Sequence, residues 1–325
     1  MNARICLQTC SRLAVAAVIG GAIAAAGTMA PTAAHAQMPP DIVAKIAALG
    51  RVVDPANTGK IYEALEEKEP YSGVKVSRDV KYGSDPRNVV DIFVPETGGA
   101  GRAVLMFVHG GGMVRGTKHA PGSPYYDNVM LFAAHHGMVG VDVEYRLAPQ
   151  FAWPAGNEDL SAAVHFVADH AAEYGVDPKR IFLMGHSAGA THVGSYVSHP
   201  EFWGPKGSGL AGAILSSGGY DFTGGEQSDG RKEYFGTDPK LLVERSSVAG
   251  LIKTTIPLMM SQAELDPPPI AAQSALLKEA LCKSEHGCIR SIVLPHHSHM
   301  SESYAINTAD HQLSDQILGF IKTGK

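Results

Sequence analysis

Six short apolar runs recur along the chain, at residues 103–108, 137–145, 180–184, 212–216, 256–261 and 289–294. Longer segments with helical spacing lie between or after them, at 123–136, 157–174, 188–198, 270–283 and 303–321. Apolar strands alternating with amphipathic helices leave few options: a mostly parallel sheet whose two faces are both covered by helices. Two further alternating runs come first, 74–82 and 89–94, joined by Gly83-Ser84-Asp85-Pro86-Arg87. A turn-forming link between alternating runs predicts an antiparallel pair. The fold class expected is therefore α/β, with a mostly parallel central sheet of about eight strands. Residues 38–71 are helical in spacing, with Ile42, Ile46 and Leu49 on one face and Ile61 and Leu65 on another. They predict a small N-terminal helical cap over 37–72, ahead of the main α/β domain over 73–325.

In an open parallel sheet, ligands bind beyond the carboxyl ends of the strands, so the segments that follow strands carry the chemistry. The most specific is Gly185-His186-Ser187-Ala188-Gly189, after the apolar Ile181-Phe182-Leu183-Met184 and before a helix. A serine between two glycines at a strand-to-helix turn has the form of a nucleophile elbow. After the run 103–108 comes His109-Gly110-Gly111-Gly112, able to bring backbone N–H groups close to a ligand. Beside a nucleophilic serine it predicts an oxyanion hole made by the N–H groups of Gly111, Gly112 and Ala188, each donor contributing roughly 3 kcal/mol. After 256–261 come Glu264 and Asp266, either of which could orient a histidine, with Asp266 the choice and Glu264 the alternative. After 289–294 come His296, His297 and His299, and spacing alone does not select the general base among them. Serine, acid, histidine is the order of α/β-hydrolases and differs from the trypsin-like and subtilisin-like orders. A metal site is the competing reading of three crowded histidines, but no acidic or cysteine ligand set accompanies them, and neither metal nor cofactor is expected.

Residues 1–36 stand apart. Arg4 and Arg12 give a basic start, 13–26 is uncharged and Ala/Val/Ile/Gly-rich, and Ala34-His35-Ala36 fits a small-x-small cleavage pattern. This predicts a secretory signal peptide, with the mature chain starting at Gln37 in the periplasm or outside a bacterial cell. A membrane anchor is the alternative, for which the Gly/Ala-rich core is short against the ~20 residues a span needs. The formal charge of -5 becomes more negative once the two arginines leave. There is no basic stripe for nucleic acid and no polybasic segment for an anionic membrane. Cys6 and Cys10 belong to the leader, while Cys282 and Cys288 remain and, in an exported protein, read as a disulfide. So small a loop contributes about 2 kcal/mol. A zinc site with His286 lacks two further ligands at normal spacing.

These motifs together resemble the α/β-hydrolase esterases of the hormone-sensitive-lipase type, with features of the arylformamidase-like and bacterial feruloyl-esterase-like branches. The resemblance spans roughly 74–321 and rests on His109 to Gly112, Tyr145-Arg146-Leu147-Ala148-Pro149, Gly185 to Gly189, Glu264-Leu265-Asp266-Pro267 and His299. It implies that Asp266, before its proline, is the triad acid and that His299, followed by an apolar residue, is the base. It also implies a structural role for 145–149, with Arg146 a buried hydrogen-bonding anchor. Two positions depart from the family pattern: His186 stands where many relatives carry aspartate, and 295–300 is unusually histidine-rich. The expected activity is hydrolysis of small carboxylic esters through an acyl-enzyme. An amidase or arylformamidase using the same triad, or a non-catalytic binding protein on the same scaffold, are the other readings.

Overall fold

A computed structural model describes residues 38–224, 228–285 and 287–324. The expected leader, with Cys6 and Cys10, lies outside the described residues, as does His286 between the two later cysteines. Among the described residues, eight strands form one sheet: β1 Val74–Lys81, β2 Val89–Pro95, β3 Arg102–Val108, β4 Val139–Val143, β5 Val176–His186, β6 Gly212–Ser216, β7 Leu258–Leu265 and β8 Arg290–Ser298. Their spatial order is β1-β2-β4-β3-β5-β6-β7-β8. β2 is antiparallel to both β1 and β4, and every pairing from β4 to β8 is parallel. Only β2 therefore runs against the rest.

The α-helices are α1 Pro40–Leu49, α2 Pro55–Tyr62, α3 Asp127–His135, α4 Ala155–Asp169, α5 Ala171–Tyr174, α6 Ala188–Ser198, α7 Asp229–Phe235, α8 Pro239–Arg245, α9 Val248–Leu251, α10 Pro268–Lys283, α11 Ser301–Tyr304 and α12 Ser314–Thr323. The period-2 alternation of the central strands divides the core into two layers. Val104, Met106 and Val108 of β3, with Ile181 and Leu183 of β5, pack with residues of α4, α6 and α10. Leu105, Phe107, Phe182 and Met184 point the other way, onto α3 and α12. Both faces of the central strands are dry, which is why they read as continuous apolar runs.

Several expected boundaries shift. The segment 157–174 divides into α4 and α5, and the helix expected over 303–321 divides into α11 and α12 around Asn307, whose φ of 70° is left-handed. The first helix of the parallel part begins at Asp127 rather than at residue 123. α10 starts at Pro268, because proline suits the first helical turn, where its missing N–H costs nothing. β7 and β8 continue past residues 261 and 294 to Leu265 and Ser298. Much of what the sequence suggests as loop is strand end. The helices α7 to α9 are additional to the expected set. The N-terminal helices share a buried apolar cluster with the end of the chain, with Ile42, Ile46 and Tyr62 packed among Met300, Tyr304 and Ala305. Cys282, in the last turn of α10, is bonded to Cys288.

Candidate active site

Ser187 sits between β5 and α6 with φ 58° and ψ −121°, a conformation that L side chains rarely adopt. Its N–H donates to Ser216 O at 2.9 Å, so the turn is held by the neighbouring strand β6. The flanking glycines are required by contact. A Cβ on Gly189 would lie 1.9 Å from Val108 O, and one on Gly185 would lie 2.3 Å from Gly189 O. The loop after β3 meets the serine directly: a Cβ on Gly110 would be 3.0 Å from Ser187 Cβ. Gly111 has φ 130° and Gly112 φ 64°. Among the described residues, the N–H groups of Gly111, Gly112 and Ala188 have no acceptor, and all three residues line the same cavity as Ser187. That cavity holds about 920 Å³ and is also walled by Tyr125, Met300 and Pro55.

Glu144, immediately after β4, organises the loop from behind. It accepts from His109 Nε2 at 3.0 Å, Thr117 Oγ1 at 2.8 Å and the Lys118 N–H at 3.1 Å, and pairs with Arg87. Burial pushes this carboxyl's pKa up, but the hydrogen bond and charge of His109, with Arg87, more than offset it and hold the pKa below its ordinary value. Arg146 is half-buried rather than buried. It bonds Asp159 Oδ1 at 2.8 Å and Glu158 Oε2 at 2.9 Å, and its reach to the partly exposed Glu158 keeps it near solvent.

The three histidines of the β8 end are separated by their partners. His296 is exposed, and its backbone N–H donates to Glu264 Oε2 at 2.7 Å, so Glu264 faces outward. His297 is buried against Asp310 Oδ2 at 3.0 Å and Ser301 Oγ at 3.2 Å. His299 is fully buried, and its Nδ1 donates to Asp266 Oδ1 at 2.7 Å. Its Nε2 has no partner among the described residues. The Asp266–His299 pair thus leaves one ring nitrogen free to exchange a proton. His186, which precedes Ser187, donates from Nε2 to His299 O at 2.8 Å. Burial, then the neighbouring His299, pull its pKa well down, so it is a neutral donor that fixes the backbone of the β8 end.

Two residues that the sequence reading passed over complete the buried polar group. Ser217, just beyond β6, donates to Asp266 Oδ2 at 2.6 Å and is bonded to Glu302 Oε2. Glu302 also accepts from Ser261 Oγ at 2.5 Å. Burial first, and then the charge of Asp266, push the Glu302 pKa up to about 8, so this carboxyl is protonated at neutral pH. A position just beyond a strand end for Ser217, and one three residues past His299 for Glu302, are the signals that could have flagged them. No group of three or more metal-ligating side chains occurs among the described residues.

Residues 90–198, which carry the glycine loop after β3 and the strand-to-helix turn at Ser187, match the BD-FAE family. Over 115 residues the chain is 37% identical to a probable isoprenylcysteine alpha-carbonyl methylesterase of Arabidopsis thaliana, covering 35% of this chain and 23% of that protein. It is 34% identical over 117 residues to phenmedipham hydrolase of Pseudarthrobacter oxydans, covering 34% of this chain and 23% of that protein. The chain thus matches these relatives over about a quarter of their length. A solved structure titled bacterial heroin esterase superposes with a TM-score of 0.63 at 24% identity, covering 89% of this chain and 98% of that one. Strand order, strand-to-helix elbow and a superposition over nearly the whole described chain make this protein a member of the α/β-hydrolase fold.

Proposed function

We propose that this protein hydrolyses small carboxylic esters through an acyl-enzyme. Ser187 Oγ attacks the ester carbonyl carbon while His299 Nε2 takes the hydroxyl proton. Asp266 holds the ring through Nδ1–H and stabilises the imidazolium as it forms. The N–H groups of Gly111, Gly112 and Ala188 receive the negative charge on the carbonyl oxygen. The carbon–oxygen bond to the alcohol then breaks, and His299 returns the proton to the leaving alkoxide. Water, deprotonated by the same nitrogen, attacks the acyl group and releases the acid and free serine.

The observation that carries the reading is His299, with Nδ1 committed to Asp266 and Nε2 left free in a buried setting. The matched relatives support it, two of the three being named as esterases. Ser187→Ala should lower kcat by about 10⁶, the scale seen when a comparable triad loses its nucleophile. A fluorophosphonate probe should label the parent at Ser187 and leave the variant unlabelled. Near-parental turnover of p-nitrophenyl acetate by the variant would sink the proposal. Export belongs to the same reading, supported by the composition of the leader and by the Cys282–Cys288 bond. Protein recovered from the periplasm or medium should begin at Gln37.

A further inference from the structure

Arg231, on α7, lines the same cavity as Ser187. Two close contacts fix where it stands. Its neighbour Gly230 lies against the oxyanion loop, where an added Cβ would meet Gly112 O at 2.1 Å. The guanidinium itself lies against Gly219, where an added Cβ would meet Nη2 at 2.1 Å and Cζ at 2.7 Å. Gly219 N–H donates to Thr191 Oγ1 at 2.9 Å, and Thr191 N–H donates to Ser187 O at 3.1 Å. Arg231 is therefore bracketed by the oxyanion loop on one side and, through Gly219 and Thr191, by the nucleophile helix on the other.

Its charge is not answered within the described chain. No described carboxylate pairs with Arg231, and among the described residues its guanidinium makes no hydrogen bond; Glu226 lies outside them. The guanidinium stands over the Phe222 ring, with Cζ 5.8 Å from the ring centre. Burial pulls its pKa down. The rest of the described lining does not compensate, because Arg115 and Lys232 add positive charge and the single described acid, Asp229, faces Lys232 at 3.5 Å. A protein with a formal charge of -5 thus presents a cationic wall beside its nucleophile. A half-buried guanidinium left without a counter-ion is unfavourable, and its planar fork matches a carboxylate with two parallel hydrogen bonds.

We propose that the missing counter-ion is the substrate itself: an ester that carries a free carboxylate, such as the monoester of a dicarboxylic acid, anchored by Arg231 with its ester carbonyl at Ser187. This deepens the ester-hydrolase reading and rests on it for turnover, although anion binding can be tested without turnover. Monomethyl esters of succinate, glutarate and adipate would be compared with neutral methyl esters of matched length, methyl pentanoate against monomethyl glutarate for example. The parent should favour the anionic member of at least one pair by about tenfold or more in kcat/KM, the scale of a charge-assisted hydrogen bond. Arg231→Gln should lower that ratio at least about tenfold, and Arg231→Lys, which keeps the charge and loses the fork, should retain part of it. Binding of the free dicarboxylates to Ser187→Ala protein, followed by calorimetry, should be lost on adding Arg231→Gln. A ratio near one that Arg231→Gln leaves unmoved, with no dicarboxylate binding, overturns the inference. Arg231-dependent dicarboxylate binding in a protein that turns over no ester would uphold the anion site and overturn the hydrolase reading instead.

Discussion

Asp266 uses its two oxygens differently. Oδ1 accepts from His299, while Oδ2 accepts from Ser217 Oγ at 2.6 Å and from the Ala263 N–H at 3.2 Å. The second set fixes the direction of the first. Asp266→Asn keeps the shape but offers an amide that can donate to Nδ1, which selects the wrong ring tautomer. Loss of about 10⁴ in kcat is expected, with the fold intact. A variant within tenfold of the parent would remove Asp266 from the mechanism. Legibility at this scale was uneven for a physical reason. The elbow and the glycine loop could be read because strain and close approach demand particular residues at fixed spacing. Spacing alone could not tell His296, His297 and His299 apart, and only the family resemblance selected His299, because their partners, Glu264, Asp310 and Asp266, come from separate stretches of chain that only the fold aligns. Ser217 and Glu302 could be flagged by their positions alone, since a serine or glutamate reveals its burial only once its neighbours are known.

Among the elements, the loop after β3 depends on a residue outside itself. Glu144 closes it at both ends, through His109 near its start and through Thr117 and Lys118 near its far end. Glu144→Ala would leave His109 Nε2 and the Lys118 N–H without their acceptor, at roughly 1–3 kcal/mol for each buried group unsatisfied. The loop should then lose its set, and kcat should fall more than KM changes, with about 10³ as the upper bound set by losing one oxyanion donor outright. Parallel kcat and urea-midpoint measurements would check this, and a loss of stability with unchanged kcat would separate the loop from the site. The elements themselves were legible in proportion to their burial. β3, β5 and β6 read clearly because both of their faces are dry. The helices over 229–251 escaped notice because they are short and Asp229–Phe235 carries charge at four of its seven positions, so no apolar stripe marks it. The ends of β7 and β8 did so because polar residues occupy strand positions at the sheet margin, where pairing with a neighbour replaces apolar burial.

For the whole molecule, buried ionisable groups set how stability depends on pH. Burial, reinforced by Glu67, raises Glu66 from 4.5 to about 9, and burial, reinforced by Asp266, raises Glu302 from 4.5 to about 8. Asp142, buried near Asp127 and Asp91, is also raised well above its ordinary value. Above pH 4.5 the unfolded chain has released the protons of both glutamates while the folded chain keeps them, so these groups make stability fall as pH rises toward 8. His186 and His192 act in the opposite sense. Burial lowers both, His192 from 6.5 to about 3, so below pH 6.5 the unfolded chain takes up protons that the folded chain refuses. Stability from these two is therefore lost as pH falls. Between 4.5 and 6.5 the two histidines offset two of the three raised carboxyls, which leaves a shallow decline of about one proton's share. From 6.5 to 8 only the carboxyls still act, and unfolding free energy should drop by up to about 1.4 kcal/mol per retained proton per pH unit. Glu302→Gln removes one of these protons and keeps an amide where the protonated carboxyl stood, so the decline over that interval should become shallower by one proton's share. Urea unfolding at closely spaced pH values, parent beside variant, measures the difference in slope directly. A parent whose stability rose from pH 6.5 to 8, or a variant with the same slope as the parent, would mean that Glu302 is ionised in the folded protein. Asp266 would then face a second negative charge across Ser217, and the histidine it orients would work in a more anionic site than the one described here.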